Sequence, residues 1–502
     1  MDANIAFKWL FVLLFAASPI VYLAGRANER FLKGRPFAAR WLAVAALILA
    51  WVPLFFAGWG FLHGQLVSLQ LGKVAIELDG IGLFQAVTVM MLVTIVGVYS
   101  MEYMHGEENE EKYYAMLLAL AAVMIGLGCA RDLFNLWVWF EAMSVTSYLL
   151  VAFYYKQKGS LESGVKYLVQ SAVGSLMVLF AIAIVFTLTG TLDLTALRPA
   201  LKGTGLISAA AGGLFLIGFG VKTALVPMHT WLPDAHSQAP SGVSALLSGV
   251  VIECGLIAML RAVGALQEVS AAWGAILLMF GILNMVVGNL MALRQTEVKR
   301  LLAYSSVAQV GYMLIGFGIA AAYGLANGAA GGFFHIFNHA VLKGLAFLAA
   351  GALLYAIHIS RGDHGPLVLD DLNGASKRYP LSALALSIAV LGLGGLPPLS
   401  GFVSKWQIFV AGAEVRSTPL LWLVIFAGIN SVLSLAYYAP LVNRLYRREP
   451  SEAVIAGKPI AAIYALPLLV LTVLAILPGI WPSLLSWLTD PAAASLLRGF
   501  GF

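Results

Sequence analysis

Charge is the scarcest property of this sequence: only 11% of its 502 residues are Asp, Glu, Lys or Arg, while 61% are hydrophobic. A water-soluble domain carries about a quarter charged residues, so the composition belongs in a bilayer. Cysteine is nearly absent as well. Cys129 and Cys254, both in apolar surroundings, cannot by themselves hold an iron–sulfur cluster or a structural zinc. No strand leads into a glycine-rich phosphate or dinucleotide loop. The reading therefore expects no cofactor and no metal in this chain and assigns any redox chemistry to a partner. The alternating pattern of an outer-membrane barrel is missing too, which leaves an all-α integral membrane protein.

Long apolar runs are what the sequence has in abundance. A helix needs about 20 apolar residues to cross the hydrocarbon core, and about fourteen transmembrane helices fit. They begin near Ile5, Ala38, Ile81, Tyr113, Leu133, Leu161, Leu206, Gln238, Val269, Lys299, Ala326, Pro380, Pro419 and Pro459. The segment Leu66 to Leu78 is too short and polar to span, and reads as a hairpin or surface loop. Ile5 to Ala24 is followed, not preceded, by Arg26, Arg30, Lys33, Arg35 and Arg40, which is the reverse of a secretory signal; it reads as a retained first helix.

An even number of spans sorts the loops into two sets. One holds eighteen Lys and Arg, including Arg26 to Arg40, Lys112, Lys156, Lys158, Arg294 to Arg300, Arg361, Lys377, Arg378, Arg444 to Arg448 and Lys458. The other holds eight: Lys8, Lys73, Arg131, Arg198, Lys202, Arg261, Arg416 and Arg498. Basic residues accumulate in cytoplasmic loops, so the expectation is a multi-pass protein of a bacterial or archaeal-type cytoplasmic membrane with both termini outside. This placement also accounts for the net charge of +6 without any nucleic-acid partner.

Four lysines remain within spans: Lys166, Lys222, Lys343 and Lys405. Glu141, Glu253, His335 and His339 join them. Ionisable groups at membrane depth are costly and mark ion or proton routes. Lys222 is followed by Pro227 and Pro233, and Lys405 is preceded by Pro397 and Pro398. Proline removes a backbone donor, which is tolerated at this depth only beside protein or a hydrated cavity. Two interrupted helices five spans apart, each with one lysine, suggest a duplicated unit, as in transporters built from repeats. A plain proline kink is the competing reading for either break.

Glu141 is the natural carboxylate partner for Lys222, because a Lys and Glu pair can be poised between charged and neutral states; a permanent ion bridge is the alternative. His335, His339 and Lys343 stand four residues apart, which places them on one helix face over roughly 12 Å. Histidine titrates near neutrality and suits a relay. A metal site or packing histidines are the other readings. Lys166 either joins this set or snorkels to the interface. His229, Asp234 and His236 are read either as a cytoplasmic mouth or as solvated loop residues.

Together these motifs resemble the antiporter-like membrane subunits shared by respiratory complex I, Mrp-type Na+/H+ antiporters and membrane-bound hydrogenases. The resemblance rests on His229 to His236 with Ala239-Pro240, on Lys299 to Ser306, on the His335 to Lys343 ladder, and on Leu396-Pro-Pro to Lys405. It implies fourteen helices and two inverted five-helix repeats with broken helices seven and twelve. The corresponding divisions are 1–104, 105–264, 265–448 and 449–502. By the same resemblance Glu141 and Lys222 match the family's Glu–Lys pair. His335, His339 and Lys343 match its central axis, and Lys405 its terminal lysine near the exit. Glu253 stands where many members carry a lysine, which reverses the local charge and puts coupling or ion choice in question. The lateral amphipathic helix of the largest complex I member is not expected, and Lys405 looks more like the quinone-side subunit or Mrp-type members than the middle subunit.

The resemblance thus implies a proton-translocating subunit of a redox-driven, NADH:quinone oxidoreductase-type translocase. Its partners would be the other membrane and peripheral subunits, the lipid bilayer, and protons, with Na+ as the alternative ion. A Mrp-type cation/proton antiporter subunit without a redox partner and a non-translocating scaffold are the competing readings.

Overall fold

The structure is a computed structural model and describes residues 1–32, 37–72, 74–362 and 365–502. Lys33, Arg35 and Lys73, which entered the loop-charge count, lie outside the described residues. Twelve helices among the described residues are long and apolar enough to cross a membrane. Leu133–Val151 and the interrupted pair Pro380–Gly394 and Ser400–Glu414 bring the tally to the expected fourteen.

Two compact units divide the chain. The first comprises residues 1–223, 250–271 and 490–502. It contains α1 (Ala3–Leu32), α2 (Phe37–Leu62), a hairpin of β1 (Ser68–Leu71) and β2 (Val74–Glu77), α3 (Gly80–Tyr103), α4 (Glu110–Gly128), α5 (Leu133–Val151), α6 (Lys158–Thr189), the short α7 (Leu194–Ala200) and α8 (Gly205–Thr223). The hairpin expected at Leu66 to Leu78 is antiparallel, pairing Ser68 with Glu77. The second unit comprises residues 224–249 and 272–489. It begins with α9 (Trp231–Gln238) and α10 (Ser241–Leu246). A π-turn over Leu247–Val251 then leads the chain into α11 (Ile252–Ala265), which belongs to the first unit. The second unit resumes with α12 (Trp273–Ala292), α13 (Val298–Tyr323), α14 (Ala326–Ile357), α15 (Pro380–Gly394), α16 (Ser400–Glu414), α17 (Thr418–Arg447), α18 (Glu452–Ala456) and α19 (Ala465–Ile480).

A last helix, α20 (Ser486–Phe500), was not among the expected spans. Thr489, Asp490, Pro491 and Ser495 interrupt its apolar run, and it is too short for the hydrocarbon core. Two residues counted as loop charges are also placed differently. Arg40 and Lys299 sit in the first turns of α2 and α13 and are each 5% exposed. Arg40 is held by Glu110 at 2.9 Å, a buried pair that offsets the desolvation of both groups.

Small residues set the helix spacing, as they do where packing rather than hydrophobicity drives association in lipid. In the first unit a methyl added at Gly174 or at Gly218 would lie 2.7 Å from the other's carbonyl oxygen, so α6 and α8 touch backbone to backbone. Lys222 follows Gly218 by one turn, and this contact aims it at α6. In the second unit Gly316 and Gly328 approach in the same way, with 2.9 Å left for either methyl, which presses α14 onto α13.

Candidate functional site

The seventh span breaks after Thr223, ahead of Pro227, and resumes at Trp231, with Pro233 in the first turn of α9. The backbone freed by the break is recovered by Asn284 of α12. Its Oδ1 accepts from the Val226 N–H at 2.9 Å, and its Nδ2 donates to the carbonyls of Ala224 (3.2 Å) and Val307 (3.3 Å). The twelfth span breaks after Gly394 and resumes at Ser400. Here the loose carbonyls are taken up by Gln309, Lys405 and Ser431. Gln309 Nε2 donates to Leu393 O at 2.9 Å, Lys405 Nζ to the same oxygen at 2.7 Å, and Ser431 Oγ to Gly394 O at 3.1 Å.

In the first unit Lys222 is fully buried. Its ammonium donates to the Tyr167 hydroxyl at 2.8 Å and to Ser171 Oγ at 3.3 Å, and lies 4.3 Å from the Tyr167 ring centroid. Tyr167 in turn bonds to Ser147 of α5 at 2.9 Å. These hydrogen bonds go to hydroxyls rather than to Glu141, which is partly buried on α5 and whose charge reaches the ammonium at longer range. Glu253, 2% exposed, opens α11 directly after the π-turn. Two residues on, a methyl at Gly255 would lie 3.0 Å from the Lys222 stem, so α11 is pressed against that side chain.

In the second unit His335, His339 and Lys343 share α14, an unbroken helix, and all three are 2% exposed or less. His335 Nδ1 meets Ser404 Oγ at 2.9 Å and its Nε2 meets Gln309 Oε1 at 3.1 Å. Through Gln309 and the Leu393 carbonyl, His335 is therefore joined to Lys405 by hydrogen bonds. Lys405 also donates to Ser431 Oγ at 3.0 Å and rests 4.4 Å from the centroid of Tyr312. Lys343 donates to the Leu302 carbonyl at 2.7 Å and to Ser305 Oγ. The hydroxyl of Tyr438 faces both Ser305 and Gln309, between the Lys343 and His335 ends.

Lys166 stands apart. It pairs with Glu162 on its own helix at 2.9 Å and is about half exposed, which agrees with the snorkelling reading. His236 is fully buried and stacked on Phe347 at 4.6 Å, and Asp234 pairs with Arg300 at 2.6 Å, so neither is a solvated loop residue. Sequence reasoning missed the neutral partners: Tyr167, Ser171, Ser305, Gln309, Tyr312 and Ser431. A hydroxyl or amide in a span raises little suspicion until a lysine is found against it. No cluster of three metal-ligating side chains occurs among the described residues.

The arrangement is three buried lysines, each met by a serine hydroxyl together with a carbonyl or a phenol, and two buried histidines. Such groups can accept, hold and pass protons; Lys and His are the side chains whose protonation burial most readily tunes.

Residues 130–434 match the family described as NADH:quinone oxidoreductase/Mrp antiporter, TM. The F(420)H(2) dehydrogenase subunit N of Methanosarcina mazei is 34% identical over 430 residues, covering 84% of this chain and 85% of the relative. The NADH-quinone oxidoreductase subunit N of Desulfitobacterium hafniense is 30% identical, covering 77% and 79%. Among solved structures, a chain of respiratory complex I from Thermus thermophilus superposes with a TM-score of 0.76 at 27% identity, covering 94% of this chain and 98% of that one.

Proposed function

The chain belongs to the NADH:quinone oxidoreductase/Mrp antiporter transmembrane family, and from that premise we propose that it is a proton-translocating membrane subunit of a redox-driven, complex I-like assembly. Protons pass between the ionisable groups singled out above, all buried except the partly buried Glu141. Glu141, Lys222 and Glu253 serve the first unit, and His335, His339, Lys343 and Lys405 the second, within two inverted five-helix repeats at 105–264 and 265–448. Both termini face outward. The electron-carrying centres belong to companion subunits.

One observation carries this reading. Lys343 and Lys405 are buried, and neither forms an ion pair with a carboxylate among the described residues; both are held by neutral oxygens. An uncompensated buried charge is expensive, and a static scaffold gains nothing from two of them. A group that must exchange a proton does gain, because neutral oxygens accept from an ammonium and tolerate an amine. Serine hydroxyls, which can donate or accept, suit both states. Glu253 is a carboxyl where a relay lysine is common in the resemblance, and it carries a proton as well as an amine does.

The test is Lys222→Met in the assembled complex, reconstituted in liposomes. Electron transfer and assembly should persist while the pH gradient across the vesicle is lost. Undiminished proton pumping in that variant would remove the proposal. The family description also names Mrp antiporters, so a Na+-gradient-driven proton flux without any reductant would favour the antiporter reading instead.

A further inference from the structure

At one end of the first unit, where α3 begins and α11 ends, an open cavity of about 370 Å³ is lined by three arginines, Arg198, Arg261 and Arg498, and by Glu77 and Asp79. This is the end assigned the fewest basic residues. Arg131, Arg198, Arg261 and Arg498 are half of the eight in that set, and all four gather here: three line the cavity and Arg131 pairs with its Glu77 at 2.5 Å. A volume of this size falls within the range of small-molecule sites.

Its acceptors and donors are not balanced. Glu77 is engaged by Arg131, and Asp79 by the Gly82 N–H at 2.8 Å and by Arg261 at 2.7 Å. The arginines keep donors in hand. Arg198 uses its Nε on Glu268 at 3.3 Å, and its two terminal nitrogens bond to nothing among the described residues. Among the described residues Arg498 bonds only to Ser495 of its own helix, at 2.9 Å. Arg261 Nε is buried with no hydrogen-bond partner. A lining whose carboxylates are already occupied and whose guanidinium donors are in surplus calls for an anionic oxygen ligand, and planar guanidinium forks match phosphate.

Apart from Thr195 and Ser495, the remaining wall is apolar, with Ile81, Leu194, Leu260 and Leu496 its largest members. A short loop joins α7, which carries Arg198, to the start of α8, an apolar helix long enough to span, where Leu206 is 86% exposed. The cavity thus sits at the end of spanning helices, the level at which a lipid headgroup would meet a polar lining and acyl chains an apolar one. The Arg198 guanidinium lies against Gly501: a methyl there would fall 2.3 Å from it, so the guanidinium would have to move.

We propose that this cavity binds the phosphate group of a membrane phospholipid, held between Arg198, Arg498 and Arg261, with the lipid rather than free phosphate as its source. This inference does not depend on the proton-transfer reading.

The experiment uses the assembled complex in nanodiscs of phosphatidylglycerol diluted in phosphatidylcholine, with tightly retained lipid counted by mass spectrometry after delipidation. Arg198→Gln with Arg498→Gln should weaken retention about tenfold or more, given the energy of hydrogen bonds to charged groups. Gly501→Ala, which removes no charge but displaces Arg198, should weaken it in the same direction and guards against misfolding of the double variant. Lys202→Gln, on the same face but outside the cavity, should change nothing. Retention unaffected by either cavity variant overturns the site. Equal loss with Lys202→Gln overturns it in favour of diffuse charge attraction. Displacement of the retained lipid by millimolar inorganic phosphate overturns the lipid as its source.

Discussion

The two breaks in the helical framework are closed by different chemistry. After Thr223 the free backbone is satisfied by Asn284, a neutral amide with no protons to exchange, and the neighbouring Lys222 is turned away onto Tyr167 and Ser171. After Gly394 the ionisable lysine is itself one of the groups that satisfy the backbone, since Lys405 donates to Leu393 O. A cation at the carbonyl end of a helix is favoured by the aligned peptide dipoles. Protonation and backbone structure are therefore separate at the first break and coupled at the second. The difference teaches that a repeated motif, one lysine beside one broken helix, can serve two designs.

The largest expected effect tests that coupling. Lys405→Met should abolish pumping and also loosen the break, because Leu393 O keeps only Gln309 and Ser431 loses its charged partner. Leaving buried groups short of partners costs about 1–3 kcal/mol each. Lys405→Arg should separate the two roles: the guanidinium still donates to the Leu393 carbonyl but does not give up its proton. Thermal unfolding of the complex should then stay near normal while proton transfer is lost. If Lys405→Arg pumps normally, Lys405 is a backbone clamp and no more.

Next in size is Asn284→Leu at the first break. Val226 N–H and the carbonyls of Ala224 and Val307 lose their side-chain partner at once in a fully buried place. Destabilisation of about 3 kcal/mol is expected from two or more unsatisfied groups. It should be read as a lower unfolding midpoint and faster proteolytic cutting between 224 and 230. Pumping per surviving complex should be retained, in contrast to Lys405→Met. Equal loss of pumping would mean that the first break is coupled to proton transfer after all.

Much of this was legible in the sequence because membrane proteins enforce simple rules. Span count follows from the length of apolar runs, and both breaks are flagged by Pro227 and the Pro397-Pro398 pair standing beside a buried lysine, although Pro19, Pro53 and Pro440 sit inside helices that stay continuous. Buried lysines stand out because charge is so rare. What the sequence could not reveal is what each lysine touches. Ser171 and Ser305 look like any small residue in a helix interface, and Asn284 carries no pattern that ties it to a break 58 residues away. Arg40 was misplaced because a charge two residues from a loop reads as solvated. Only its partner, Glu110, 70 residues on, explains the burial. α20 was missed because Pro491 and neighbouring polar residues break an apolar run that the span rule needs unbroken.

The smallest effect distinguishes the two lysine sites by their aromatic neighbours. Tyr167 supplies both a ring face and a hydroxyl to Lys222, and that hydroxyl continues to Ser147. Tyr312 supplies a ring to Lys405 at nearly the same distance, 4.4 against 4.3 Å, but its hydroxyl goes to Ala427 O at a long 3.4 Å and faces Ser431, which Lys405 already reaches directly. Tyr167→Phe keeps the cation–π contact and removes the phenol that links Lys222 to Ser147 of α5. A hydrogen bond to a charged group contributes about 1.5–3 kcal/mol, so proton transfer through the first unit should slow by roughly tenfold. Tyr312→Phe deletes a weak bond and leaves the ring in place, so the rate should change by less than about twofold. Measured in the same liposome assay, the ratio of the two effects matters more than either value. A ratio near one would mean that both tyrosines act through their rings alone, and that the hydroxyl between Lys222 and Ser147 carries no proton.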